Sequence, residues 1–71
     1  MAAQLHDALA LVILRRRQVE ARTGLSRSGI YARIKEGTFP APVALGPRAV
    51  GWVDQEISAW IAGQIQASRA A

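Results

Sequence analysis

Three consecutive arginines, Arg15, Arg16 and Arg17, open a stretch in which Arg22, Arg27, Arg33 and Lys35 follow at short intervals. Arginine carries a planar fork of donors that matches the oxygens of a phosphate and the acceptor edge of guanine, whereas lysine is a point charge. Eight of the nine basic residues in the 71-residue chain are arginine. The chemistry open to such residues is anion recognition, with nucleic acid the leading partner and an acidic protein or membrane surface the next.

Residues equipped to make or break bonds are few. His6 is the only histidine, beside Asp7 near the N-terminus, and a lone terminal imidazole reads as a solvated side chain. Of the five carboxylates, Asp7, Glu20, Glu36, Asp54 and Glu56, only the last two are close. Their spacing points them to different helix faces. Gly46, Gly51 and Gly63 form neither a Walker nor a dinucleotide loop. With no cysteine there is no disulfide, thiolate nucleophile or Cys-ligated zinc. The chain reads as a non-enzyme with no catalytic residue, metal or cofactor.

The charge is not evenly spread. Residues 15–35 hold seven basic residues and one acid, Glu20, for a net +6, while residues 1–14 and 36–71 each sum to −1. A merely solvated basic surface would distribute its charge, so this concentration favours nucleic acid as the partner.

Around the arginines, helix, turn, helix, hairpin and helix follow in order. Residues 1–11 read as a flexible or weakly helical tail, and Val12-Ile13-Leu14 as a short extended lead-in that also suits a strand. Arg16 to Thr23 reads as a helix with Val19 turned inward, stopped by Gly24 in a left-handed conformation. Leu25 then reads as a buried plug, and Ser26 caps a second helix running to Glu36 and ending at Gly37, with Ile30 and Ile34 as its apolar seam. Phe39-Pro40-Ala41-Pro42 cannot be helical. Two β runs, Val43–Leu45 and Val50–Trp52, flank a turn at Gly46-Pro47-Arg48-Ala49. Asp54 is expected to cap a last helix with Ile57, Trp60, Ile61 and Ile65 on one face, and residues 66–71 to form a loose tail. A hairpin directly after a helix-turn-helix is a wing. The expected fold is mainly α with a small β-hairpin, a winged helix-turn-helix over residues 12–65.

With the Ile30–Ile34 seam inward, Ser28, Tyr31, Ala32 and Lys35 point away from the core and Arg27 lies at the flank. A helix entering the major groove reads bases mainly with its N-terminal residues, so Arg27, Ser28 and Tyr31 are the base-edge candidates. Lys35, with Arg16 and Arg17 at the start of the first helix, suits phosphates. Arg48 at the wing tip is a further DNA contact. Tyr31 also suits a core edge with its hydroxyl in water, and Arg16 and Arg17 also suit a solvated helix start. Arg33, on the opposite flank, suits covering apolar surface with its stem. Phe39, Trp52 and Trp60 read as core.

The run Val19-Glu20-Ala21-Arg22-Thr23-Gly24-Leu25-Ser26-Arg27-Ser28, then Ile30-Tyr31 and Gly37-Thr38-Phe39-Pro40-Ala41-Pro42-Val43, resembles the AlpA family of phage and prophage regulators. Leu45-Gly46, Arg48, Val50-Gly51-Trp52 and the Ile57/Trp60/Ile61 pattern fit as well, so the likeness covers about residues 13–62. It implies a MerR-like winged helix-turn-helix similar to small excisionases, with the second helix in the major groove and the wing on backbone or minor groove. Gly29 stands where the family usually has Thr or Ser, and Ala41 where a basic residue is frequent.

The expected function is therefore a sequence-specific, double-stranded DNA-binding transcriptional regulator of a phage, prophage or other mobile element. One alternative is an excisionase, or recombination directionality factor, that bends DNA and contacts integrase. Another is a basic protein-protein adaptor. Integrase or transcription machinery is a further candidate partner, and self-association on multi-site DNA is expected because one such module reads only a few base pairs. The longest apolar run, Ala8 to Leu14, is far shorter than the roughly 20 residues of a membrane helix. Asp7 before that run and arginines after it do not fit a secretory signal. The expected compartment is the bacterial cytoplasm, at the nucleoid when bound.

Overall fold

Two glycines divide the first half of the chain into short helices. Gly24 and Gly37 adopt φ of 76° and 78°, a left-handed conformation that costs glycine nothing. Gly24 ends helix α1 (Arg16–Thr23), its N–H donating to the Glu20 carbonyl at 2.8 Å. Gly37 ends helix α2 (Arg27–Glu36) in a Schellman arrangement: its N–H bonds the Ile34 carbonyl, and the Thr38 N–H bonds the Arg33 carbonyl. The structure, a computed structural model, describes residues 11–70, so the expected N-terminal tail, apart from Leu11, lies outside the described residues.

The three-residue turn between α1 and α2 is built from side chains. Thr23 donates its hydroxyl to the Val19 carbonyl at 2.7 Å and accepts the Leu25 N–H at 3.2 Å. Ser26 caps α2 by accepting the Gly29 N–H at 3.1 Å. Leu25, expected as a buried plug, is half-buried and packs against the core from its edge.

Strands β2 (Val43–Gly46) and β3 (Ala49–Val53) form the wing, with Pro47 and Arg48 at its tip. Proline holds φ negative, and no tip residue has positive φ, so the turn does not match the twist of the two strands. The mismatch is absorbed one step back: the register slips between Ala44 and Gly46, leaving Leu45 as a bulge.

The extended lead-in is a strand, β1 (Ile13–Leu14), and its partner was not legible from sequence. It pairs antiparallel with β3, Ile13 opposite Val53 and Leu14 opposite Trp52, giving a three-stranded sheet of order β1-β3-β2. Gly51, at the centre of this sheet, permits the close approach. A Cβ there would run into the Ile13 side chain and lie 3.0 Å from the Leu14 carbonyl oxygen and 3.1 Å from Leu45 Cδ1. Gly51→Ala should destabilise the fold by about 1–3 kcal/mol, seen as a lower urea midpoint at unchanged m-value.

Helix α3 (Asp54–Ala70) completes the chain. Asp54 was expected as its cap but is its first residue. Its N–H donates to the Val12 carbonyl at 2.8 Å, and its carboxylate accepts from Arg22 Nη1 at 2.6 Å, tying α3 to the residue just before β1 and to α1. The stretch from Gln66, expected as a loose tail, is helical to Ala70. Gln, Ala and Arg favour helix, and their polarity reports exposure rather than a helix end. Residues 62–70 are all exposed, so Ile65, expected on the packed face, lies beyond the core.

That core is Leu14, Val19, Ile30, Trp52 and Ile57, one residue each from β1, α1, α2, β3 and α3, with Phe39 from the proline corner, and Leu25, Ile34, Trp60 and Ile61 pack against it. Trp52 and Trp60 also fix the proline corner. Their indole N–H groups donate to the Pro40 and Thr38 carbonyls at 3.1 and 2.7 Å, and Phe39 meets Trp60 edge to face at 4.8 Å. This is a winged helix-turn-helix.

Candidate nucleic-acid interface

Burying Ile30 turns the opposite side of α2 to solvent. Arg27, Ser28, Tyr31 and Lys35 are all exposed, and the last three form a stripe about 10 Å long at 1.5 Å per residue. Arg27 and Ser28 occupy the first turn, and Lys35 the last.

Tyr31 differs from its neighbours on this stripe. It is 39% exposed, yet its ring meets the buried Trp52 ring edge-on, with centroids 6.3 Å apart. The outward direction and the core edge both describe it, because the β3 tryptophan reaches up to the flank of α2.

Antiparallel pairing of β1 with β3 decides where the arginine run goes. Moving from Leu14 into Arg15 is moving back along β3 toward its first residues and the wing tip. The start of α1 is thereby brought beside the wing. Arg15, Arg16, Arg17, Tyr31, Arg48 and Val50 line one cleft of about 300 Å³. Four candidates spread over 33 positions of sequence (Arg16, Arg17, Tyr31 and Arg48) therefore meet. Arg27, Ser28 and Lys35 lie outside the cleft, along the exposed face of α2.

Several details raise the positive field there. Arg15 precedes the first helical residue of α1, where Ser or Asp would normally offer an acceptor. A guanidinium has only donors. Gln18 reaches back to take the Arg15 N–H at 2.8 Å, but the arginine returns no side-chain acceptor to the helix, and no acidic residue lies in the first turn. The positive end of the helix dipole thus adds to the arginines.

The cations are not equally available. Arg16 pairs with Glu20 one turn on, and Arg22 with Asp54 and the Ser58 hydroxyl. Arg33 folds back along α2 and donates to the Gly29 carbonyl at 3.2 Å; a Cβ on residue 29 would lie 3.5 Å from that guanidinium nitrogen and 3.3 Å from Ser26 Oγ. Among the described residues, Arg15, Arg17, Arg27, Lys35 and Arg48 carry no ion pair. Arg15 was missed as a site residue by sequence. The signal was its place as first of the triplet, but only the β1–β3 pairing turns it toward the wing.

The family model of the prophage CP4-57 regulatory protein (AlpA) matches residues 12–65, from β1 through most of α3. The chain belongs to the AlpA family. An uncharacterized protein of Enterobacteria phage P4 is 52% identical to it over 42 residues, 59% of this chain and 48% of that protein. The DNA-binding transcriptional activator AlpA of Escherichia coli (strain K12) is 33% identical over 63 residues, 80% of this chain and 90% of that protein. The alignment thus spans about half the length of the phage P4 relative. Every residue of the arginine cleft falls inside the stretch the AlpA model matches. Among the described residues, no cluster of His, Asp or Glu could hold a metal, and no helix is long and apolar enough to cross a membrane.

Proposed function

We propose that this AlpA-family chain is a sequence-specific, double-stranded DNA-binding transcriptional regulator of a phage, prophage or other integrated mobile element. The observation that carries the reading is the cleft in which arginines from the start of α1 meet the wing-tip arginine, directly beside the exposed face of α2. The E. coli relative's description as a DNA-binding transcriptional activator supports it.

In this account α2 enters the major groove, N-terminal turn first, and Arg27 and Ser28 address base edges. Lys35, two turns along, and Arg17, with Arg16 beside it, hold phosphates, while Arg48 carries the wing onto the backbone or into the minor groove. One α2 reads only a few base pairs, so natural targets contain more than one half-site.

Selection from random duplex DNA tests the reading. It should enrich a short motif, and Arg27→Ala should lose preference at one position of it, at a cost of about 1–3 kcal/mol there. Binding without any enriched motif would contradict sequence-specific recognition.

A further inference from the structure

A helix in the major groove and a wing in the neighbouring minor groove are separated by one sugar-phosphate strand. In this fold the space between helix and wing is the arginine cleft, so that strand must cross it. We propose that the cleft is a clamp for a single backbone phosphate, in which Tyr31 positions the DNA by donating its hydroxyl to the phosphate and does not read a base. The inference rests on the DNA-binding reading and adds to it a role for Arg15 and Tyr31.

Three observations support it. Tyr31 lines the cleft together with Arg15, Arg17 and Arg48, whereas Arg27 and Ser28, the base-edge candidates, do not. Its ring is packed edge-on against Trp52, which is fully buried, so the side chain is held at the cleft wall and is not free to follow a base edge. Arg15, Arg17 and Arg48 carry no ion pair among the described residues, and the remaining wall is Arg16, paired with Glu20, and the apolar Val50. Arginine forks with one neutral hydroxyl donor and no acidic side chain in the cleft suit a tetrahedral oxyanion. A carboxylate on an acidic protein would be held by the same forks, but nothing would then require the cleft to lie between reading helix and wing.

The test uses the full chain and its selected duplex, with a single uncharged methylphosphonate linkage walked along each strand. For the wild-type protein, one linkage on the strand between the contacted major groove and the adjacent minor groove should lower affinity about tenfold. Tyr31→Phe keeps the ring on Trp52, and its melting curve would check that it folds. This variant should bind specific and scrambled duplexes weaker by the same factor, about fivefold, with an unchanged selected motif. At the sensitive linkage it should show a smaller methylphosphonate penalty than wild type.

An equal penalty in both proteins, or an altered motif in Tyr31→Phe, would overturn the role given to Tyr31. The lack of any sensitive linkage on that strand would overturn the clamp. Failure of the wild-type protein to bind any duplex would instead refute the DNA-binding reading itself and favour an acidic protein as partner.

Discussion

Trp52→Ala is expected to abolish cooperative unfolding, leaving a chain without a stable native state at 37 °C. Trp52 is the largest fully buried side chain and the point where β1, α2 and the proline corner converge. Truncating a buried tryptophan costs about 3–5 kcal/mol. A chain of this length holds only about 4–10 kcal/mol in total, so one substitution removes from about a third of it to all. The loss is compounded because the Pro40 carbonyl forfeits its indole donor. Trp52→Phe separates packing from hydrogen bonding: it should fold with a melting temperature lower by about 10 °C, from about 2 kcal/mol of lost packing and hydrogen bond. Thermal melts followed by far-UV circular dichroism would show both results. A cooperative transition in Trp52→Ala within a few degrees of wild type would show that the core is not organised around this residue.

Replacing Arg17 and Arg48 together by alanine is expected to weaken duplex binding about a hundredfold while leaving the fold at least as stable. Both residues are exposed, neither forms an ion pair among the described residues, and both line the cleft, one from α1 and one from the wing. Two charge-assisted contacts to phosphate at about 1.5 kcal/mol each give that factor. The same change relieves repulsion among clustered guanidinium groups, so the melting temperature should hold or rise at low salt. A loss of binding accompanied by a lower melting temperature would mean that the arginines support the fold and not the ligand.

Most of the element order could be read from residue types because its determinants are local. Gly24, Ser26 and Gly37 act through their own backbone geometry and caps, and the proline corner excludes helix by itself. The contents of the cleft were only partly legible. The charge of residues 15–35 is a fact of sequence, but meeting Arg48 depends on β1 pairing with β3. Two residues of strand carry too little pattern to reveal that partner. The same pairing explains why Arg15 was overlooked. Asp54 looked like a cap because its type suits one, yet its position is set by the Arg22 pair and the Val12 carbonyl. Helix α3 outran its expected end because exposed Gln, Ala and Arg say nothing against helix.

The excess of +4 charges over 71 residues is modest as a total. Its consequence depends on its concentration in one cleft and along one helix face, beside a wing. Counterion release turns that concentration into a measurable quantity. The affinity of the full chain for a duplex should be measured as a function of salt between about 50 and 200 mM. With one phosphate neutralised in the cleft by Arg15, Arg17 and Arg48, and one or two more by Lys35 and Arg16, the logarithm of affinity should fall along a line of slope about −2 to −3. Arg17→Ala/Arg48→Ala should flatten that slope by about one. A flat response, or no duplex binding at low salt, would contradict the account.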